Sequence, residues 1–534
     1  MKILFELIAV NHKTYHSIAQ RIKEQYPRAQ FAGIVGYNED NKQFYDFLKN
    51  QTQVKFEFLE LWHEIWERAL ESETDHALLK DFEEKSDKKS LWRYIAADRC
   101  LGYEFMRGAL WQPHCLNRIN TRENILQVFS GLIKEYRRIF ETFKPDVFIP
   151  AMAMGTIDIF ILDQLCKEYG VKYVTSLTAR TESYFTFAED VELNCPRIEE
   201  TYRQLMGNML TLDLGPAQRL YAKLLADLNN SDFSDRKHEC FQYKKLETWP
   251  EKIKFHIKTP LIAARVTRDW LMMKLNGRPH HFVLRKPCDL TAYFGYLKFA
   301  LGRHHQNYQL LYQGMGGKLP QGQKYIFFPL HISPEHSTQV MGTMWQDQIH
   351  VIEALAKSIP FDWVVYVKEH PATLYCRARP TDFYKRLRKL PNVSLAPVYA
   401  NTGEIIINSE MVAVITGTAG WEAVQRGKPV INFGKCFWDC LDLSRRTTDP
   451  ERLSVDIHQE LKRHQSISLK ERERRVICFL ASILENSFHV TLGEVFGNSR
   501  VGSDEEYQQV AEEVAAALIH YLNQEEGVRE ELKV

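Results

Sequence analysis

Five apolar runs alternate with helix-compatible segments between residues 325 and 433, and this alternation constrains the fold more than any other feature. Each run is short enough to be a buried strand, and most are rich in β-branched or aromatic residues. Strands separated by helices pair in parallel, with the helices covering both faces of the sheet. The second half of the chain therefore predicts a doubly wound α/β domain with strands at 325–330, 363–368, 393–395, 411–416 and 430–433.

A similar pattern opens the chain. Apolar residues 2–9 precede a helix-compatible segment, and strand-like runs at 147–150 and 171–175 flank a predicted helix that Gly170 closes. Parallel strands bind ligands beyond their carboxyl ends, so the loops 151–155 and 176–180 should line a cleft. Arg180 is the charged residue there, and we predict that it contacts the substrate. A plain surface ion pair is the equally weighted alternative.

The length of 534 residues predicts two or three domains. The pattern divides the chain into a first Rossmann-like lobe with a helical insertion, a basic helical connecting region, a second Rossmann-like lobe and a helical tail. Their predicted ranges are 1–215, 216–310, 311–480 and 481–534.

Composition excludes several classes of protein. Lys and Arg number 69 against 68 Asp and Glu, so no overall charge favours a nucleic-acid partner. The ten cysteines lack paired C-x-x-C spacing, which argues against zinc and favours free thiols in the cytoplasm. We read residues 1–10 as a strand rather than a leader because Glu6 interrupts them. The basic segment 250–286 leaves two interpretations open: contact with the inner face of a membrane, or a solvated linker.

The run VVYVKEHP at 364–371 changes abruptly from apolar to charged residues. Proline disfavours helical geometry at the preceding residue, so His370 should be extended at the carboxyl end of a strand. Its imidazole could donate a hydrogen bond to a phosphate of a nucleotide-linked donor substrate and stabilise the negative charge of the leaving group. Lys368 and Pro371 lie beside it in the sequence. The alternative is a histidine that caps a neighbouring helix.

A second strand turns sharply into a helix at TGTAGWEA, residues 416–423. Helix-start amides favour phosphate oxygens, and small residues permit close approach. The sequence therefore predicts donor binding by Thr416, Gly417, Thr418 and Gly420. Glu422 could accept hydrogen bonds from donor hydroxyls, or it could simply stabilise the amino end of its own helix.

The loop FFPLHISPEHS at 327–337 is the third polar segment that follows a strand. His331 and Glu335 are candidates for sugar binding or proton transfer, although a proline-rich turn also needs polar side chains for its own backbone. No D-x-D triplet, G-x-x-x-x-G-K-[ST] loop or G-x-S-x-G elbow occurs, which disfavours metal-chelating transferases, Walker-type kinases and serine hydrolases.

Taken in order, FPLHISPE, VVYVKEHP and VITGTAGWEAVQRGKPVINFG resemble the bacterial capsule polysaccharide biosynthesis family over residues 325–440. The resemblance implies a GT-B glycosyltransferase, some relatives of which use CMP-linked acidic sugars, and it implies that His370 and Pro371 contact the donor phosphate. The first half resembles the family only in layout, including the K-P-D strand entry at 144–146, so it implies no acceptor residues.

The leading hypothesis is metal-independent transfer of a sugar from a nucleotide-linked donor to a surface polysaccharide or glycolipid. No cofactor beyond the donor is expected. Two alternatives remain at this stage: a polyol-phosphate transferase or nucleotide-sugar epimerase with a similar two-lobed body, and a noncatalytic assembly or export component. The donor sugar, linkage, stereochemical course and oligomeric state are not specified by the sequence.

Overall fold

The computed structural model describes residues 1–7, 12–36, 39–98, 121–151, 155–179, 183–229, 248–275, 290–311, 316–317, 319, 321–333, 335–376, 379, 382–496 and 502–524. Two parallel α/β sheets form two Rossmann-like lobes, as the sequence predicted. None of the helices in these ranges is both long and apolar enough to cross a lipid bilayer.

Every run that was predicted to be a strand contains one, and the structure has further strands in both halves of the chain. They are β1 Lys2–Leu7, β2 Gln30–Val35, β3 Phe56–Leu61, β4 Val147–Ile149, β5 Lys172–Tyr173, β6 Thr175–Thr178, β7 Tyr184–Ala188, β8 Lys324–Pro329, β9 Trp363–Lys368, β10 Val393–Ala396, β11 Met411–Val414, β12 Val430–Asn432, β13 Arg445–Arg446 and β14 Phe488–His489.

The α-helices lie between these strands and after them. They are α1 His12–Gln25, α2 Glu39–Asn50, α3 Trp62–Glu71, α4 His76–Lys85, α5 Leu91–Ala97, α6 Arg122–Phe143, α7 Ile157–Tyr169, α8 Pro196–Met206, α9 Gly215–Asn229, α10 Trp249–Leu275, α11 Leu290–Leu311, α12 His336–Gln339, α13 Gln348–Ser358, α14 Thr373–Cys376, α15 Phe383–Arg388, α16 Thr402–Asn408, α17 Thr418–Gln425, α18 Leu453–Ser466, α19 Leu469–Glu485, α20 Gly493–Phe496 and α21 Asp504–Asn523. Short 3₁₀ turns occupy Thr343–Trp345, Asp439–Leu441 and Pro450–Arg452.

The first lobe has the parallel strand order β3-β2-β1-β4-β5. The chain order reverses between β1 and β4, which is where such sheets open a crevice. One face of β1 packs on a core that includes α6 and α7, and the other packs on α1 and α21. Helix α7 ends at Gly170, whose φ of 66° is the left-handed conformation that glycine adopts readily.

The second lobe has the order β10-β9-β8-β11-β12-β13, with every neighbouring pair parallel. Its central strands are buried on both faces, because helices cover each side of the sheet. The five predicted strands of this lobe are all present, and the short β13 extends the sheet by one.

The two ends of the chain meet on the first lobe. Helix α21, in the predicted helical tail, packs against α1, and its buried residues include Tyr507, Val510 and Leu518. Helices α8 and α9 pack against α19 in the second half. The predicted domain boundaries, including the one between 215 and 216, remain predictions.

Helices α10 and α11 run beside each other as a hairpin, in the region predicted to be a basic helical connection. The ring of Phe255 stacks on that of His304 with centroids 4.2 Å apart, and the hydroxyls of Thr267 and Tyr293 are 2.9 Å apart. The hairpin is a paired element rather than an extended linker.

Candidate functional site

Three polar loops follow the adjacent strands β9, β8 and β11 at one edge of the second sheet. Parallel register aligns Pro329 with Lys368 across β8 and β9, and Val412 with Phe327 across β11 and β8. Because parallel strands present their carboxyl ends together, the three predicted motifs meet at this edge.

His331, in the middle loop, joins its two neighbours. Its Nε2 accepts a hydrogen bond from the Thr416 amide at 3.3 Å, and its carbonyl accepts one from Arg379 Nη2 at 2.7 Å. The Gln348 side chain fixes the His331 backbone from the other side. Its Oε1 accepts a hydrogen bond from the His331 amide at 2.8 Å, and its Nε2 donates one to the His331 carbonyl at 3.0 Å. The loops after β8 and β11 are therefore tied together by an imidazole.

The imidazole of His331 is neutral. Burial, followed by the charges of His370 and Arg379, lowers its pKa to about 3. Since Nε2 accepts the Thr416 amide, the proton of the neutral ring is on Nδ1. Within the described residues, Nδ1 is buried and has no hydrogen-bond partner. The ring is thus a fixed neutral brace with one unused donor.

The start of α17 is shaped by contact with this ring. A Cβ added at Gly417 would lie 2.7 Å from His331 Nε2, so glycine is needed for the approach of the imidazole. Gly417 caps α17 without a side chain, and the α17 geometry leaves the amides of Thr418 and Ala419 without an intrahelical acceptor. The Thr416 amide is already engaged by His331, so the available donors are those of the first helical turn.

Gly420 was predicted to let a ligand approach the backbone, but the space beside its Cα is filled by the protein core. A Cβ there would lie 2.7 Å from Val414 Cγ2 and 2.8 Å from Trp438 Cζ2. The small residue therefore lets α17 lie close to the core. Thr418 is exposed at the helix start.

His370 lies at the end of β9 with its ring half-buried. Its Nδ1 accepts the Ala372 amide at 3.1 Å, which places the proton of the neutral ring on Nε2. The His370 carbonyl accepts the Thr373 amide at 3.0 Å, so Pro371 stands in a tight turn before α14. The neighbouring Lys368 is buried, and its carbonyl accepts the Leu330 amide at 2.8 Å.

A buried ion pair that the sequence did not reveal holds these loops in place. Arg379 donates to Glu369 through Nε at 3.0 Å and Nη2 at 2.7 Å, and the Tyr384 hydroxyl donates to the same carboxylate at 2.5 Å. Burial alone would raise the pKa of Glu369, but the Arg379 charge and these hydrogen bonds outweigh it and lower that pKa. Because Arg379 also reaches the His331 carbonyl, it connects the loops after β8 and β9.

The remaining predicted residues have more local surroundings. Glu422 Oε2 lies 3.7 Å from Nη1 of Arg426, the residue that caps the carboxyl end of α17, and the two form a local ion pair. Glu335 is half-buried at the start of α12, and its amide donates to Thr338 Oγ1 at 3.4 Å. Arg180 lies outside the described residues.

The first lobe has its own buried carboxyl groups at the switch point of its sheet. Glu6 is the penultimate residue of β1 and accepts the Ala151 amide at 3.0 Å, and burial raises its pKa to about 8. Asp158 accepts hydrogen bonds from Trp66 at 2.8 Å and Tyr136 at 2.5 Å, and burial raises its pKa as well. The sequence signal for Glu6 was a charged residue inside an apolar strand; Asp158 had no such signal.

The second-lobe loops touch the first half of the chain directly. His336 Nε2 lies 2.7 Å from the Val191 carbonyl, and Lys435 donates to Asn194 Oδ1. The edge with His331 and His370 therefore lies beside the junction of the two halves. Roles in catalysis or donor binding for the predicted residues, and independence from metal ions, stay predictions.

Comparisons with solved structures find distant likenesses. The β-Kdo 2,7-transferase KpsC of Thermosulfurimonas dismutans is 12% identical with a TM-score of 0.30, over 73% of this chain and 90% of its own. The β-Kdo 2,4-transferase KpsC of the same organism is 11% identical with a TM-score of 0.28, over 70% of this chain and 96% of its own. UDP-GlcNAc 2-epimerase of Neisseria meningitidis is 10% identical with a TM-score of 0.24, over 91% and 100%. The comparison with curated proteins gives no match.

The comparison with protein families gives one match, to the family described as "Capsule polysaccharide biosynthesis protein". The matched residues, 296–467, contain α11, the strands from β8 to β13 and all three loops of the site. The resemblance predicted from the three motifs is confirmed over this range, since residues 296–467 match the model of the capsule polysaccharide biosynthesis family.

Proposed function

We propose that this protein is a glycosyltransferase of capsule polysaccharide synthesis, transferring a sugar from a nucleotide-linked donor to a polysaccharide or glycolipid acceptor. The observation that carries the proposal is the joining of three strand-end loops through His331, which brings the start of α17 to the same sheet edge as His370. The family match over residues 296–467 supports the same class of protein.

The start of α17 is the proposed phosphate site. The amides of Thr418 and Ala419 lie at the positive end of the helix dipole and lack intrahelical acceptors. Together with the exposed Thr418 hydroxyl, they suit the oxygens of a nucleotide diphosphate or monophosphate. Gly417 contributes by admitting His331 rather than by touching the ligand.

His370 is the proposed stabiliser of the leaving phosphate. Its Nδ1 is held by the Ala372 amide, so the opposite nitrogen carries the donor proton. A neutral or protonated imidazole in this orientation can donate to charge that develops as the sugar bond breaks. His331 serves as a positioning residue, since burial and its low pKa oppose a role as proton acceptor at neutral pH.

Glu422 is proposed to accept hydrogen bonds from hydroxyls of the donor, with Arg426 orienting its carboxylate. Lys368, the last residue of β9, is also a proposed member of the site. So are Pro371 and Glu335, which lie in the loops after β9 and β8. CMP-linked sugars are among the donors that we propose for this site.

The test is incubation of the full chain with labelled CMP-, UDP- and GDP-linked donors, followed by identification of products. Sugar transfer supports the proposal, whereas phosphoglycerol transfer, an epimerised free donor, or no binding of any donor contradicts it. His370→Ala should lower turnover at least tenfold, equivalent to about 1.4 kcal/mol of transition-state stabilisation. His458→Ala, on the exposed side of α18, is the matched control and should leave turnover unchanged.

A further inference from the structure

The α10–α11 hairpin exposes large apolar side chains on its outer face. Six of them are between 57% and 78% exposed: Trp249, Ile257, Leu261, Leu275, Leu290 and Phe294. The four on α10 fall on one side of the helix at 100° per residue, so they form a stripe. Exposed single apolar residues are common on protein surfaces, but an aligned set of this size marks an interaction surface.

The same side of α10 is basic. Lys254, Lys258, Arg265 and Arg268 are exposed beside the apolar stripe. Over residues 249–275 the sequence has six Lys and Arg against two acids, and the acid Asp269 lies 2.7 Å from Arg268. The exposed face therefore combines apolar area with positive charge.

The contacts within the hairpin come from residues on the opposite side of α10 and at the edge of the stripe. Phe255 stacks on His304, and Thr267 meets the Tyr293 hydroxyl. These residues are more buried than the apolar stripe, so the stripe is not the surface on which the hairpin is assembled.

We propose that the outer face of this hairpin adsorbs to an anionic lipid surface. Helices with apolar residues on one face and Lys and Arg along its border lie in the headgroup region, where insertion and attraction to acidic lipids act together. A second copy of the chain suits this face less well, because a symmetric contact would oppose one basic stripe to another.

The hairpin is attached close to the candidate site. The Arg379 amide donates to Gln306 Oε1 at 3.0 Å, and Asn307 Nδ2 donates to the Leu374 carbonyl at 2.6 Å. Adsorption would hold the loops around Glu369 near the bilayer, where a glycolipid acceptor presents its sugar. This last step rests on the proposed function, whereas the adsorption itself does not.

The experiment is co-sedimentation of the full chain with vesicles of phosphatidylcholine alone or with 30% phosphatidylglycerol. We expect the mixed vesicles to bind at least tenfold more tightly at low salt, with the difference reduced at 0.5 M salt. Lys254→Glu combined with Lys258→Glu should weaken binding at least tenfold, and Ile257→Ser combined with Leu261→Ser should weaken it several-fold.

Matched controls lie on α18 and α19. Lys462→Glu combined with Lys470→Glu, and separately Leu469→Ser, alter equally exposed residues and should leave vesicle binding unchanged. Equal binding to both vesicle types, no binding, or equal loss in the hairpin and control variants would overturn the proposal. The proposal would also be overturned if the chain does not bind vesicles but the hairpin residues are needed for self-association, measured as a mass change in light scattering. The same holds if they are needed to bind an acidic protein instead. His370→Ala should bind vesicles as the wild type does, which separates this proposal from the proposed function.

Discussion

Gly417→Ala tests the contact on which the candidate site depends. The added Cβ would lie 2.7 Å from His331 Nε2 and 3.3 Å from its Cδ2, distances at which one group has to move. The imidazole is 6% exposed and its backbone is held by Gln348 and Arg379, so the ring cannot simply swing into solvent. The strain therefore falls on the start of α17 or on the Thr416 hydrogen bond.

The expected cost follows from these two effects. Forcing one methyl group into a packed site costs about 1–3 kcal/mol, and losing the hydrogen bond to Thr416 adds about 1 kcal/mol if its amide stays buried. We expect Gly417→Ala to lower the free energy of unfolding by about 2–4 kcal/mol. Donor affinity should fall as well, because the amides of Thr418 and Ala419 shift with the helix start.

Urea unfolding and isothermal titration with the donor measure these two effects. Gly317→Ala is the matched control, since a Cβ there meets no atom within 4 Å and the residue has no left-handed φ. If Gly417→Ala is as stable as Gly317→Ala and binds donor with unchanged affinity, the imidazole does not brace α17.

Three further predictions concern buried ionisable side chains. Arg379→Met leaves Glu369 buried without its cation and should cost about 3–5 kcal/mol in urea unfolding, with Arg379→Met/Glu369→Gln recovering part of it; a loss below about 1 kcal/mol would contradict the buried pair. The pKa of His331 is about 3 when folded and near 6.5 when unfolded, so the unfolded chain binds more protons between these values and stability falls as pH decreases. Its share is about 2 kcal/mol between pH 6.5 and 5, and His331→Gln should flatten the measured slope, whereas an unchanged slope would refute the assignment. The pKa of Glu6 is raised to about 8 in the folded chain, so the neutral carboxyl group contributes stability at low pH, and this contribution is lost as pH rises from about 4.5 to 8. The free energy of unfolding of Glu6→Gln should therefore rise relative to that of the wild type by at least about 1 kcal/mol over that range. A constant difference between the two proteins would count against the assignment.

The sheets could be predicted because their central strands are buried on both faces. Runs such as 363–368 and 411–414 have no polar face that could be confused with that of a helix, and a proline or glycine follows each within three residues. Strand β3 escaped prediction for the opposite reason. Its sequence FEFLEL carries two glutamates in a half-buried edge strand, and it leads directly into α3, so the segment has no clear boundary.

Local sequence also located the three loops but not the bonds between them. The contact of His331 with Thr416 spans 85 positions, and no local pattern encodes it. Arg379 had no signal either, because its burial depends on Glu369 and on the fold of the intervening turn. Gly420 was predicted to admit a ligand, since a glycine that packs against Trp438 has the same local sequence as one that faces a phosphate.

The strand order explains why the middle loop differs in role from its neighbours. β8 lies between β9 and β11, so a residue just beyond β8 can reach both flanking loops, and His331 does so through its ring and its carbonyl. Because protein surrounds His331 on both sides and excludes water, burial lowers the pKa of its imidazole. The flanking loops keep the half-buried ring of His370 and the exposed start of α17. In the proposed function, the loops after β9 and β11 recognise the anion, and His331 between them fixes the distance that separates them.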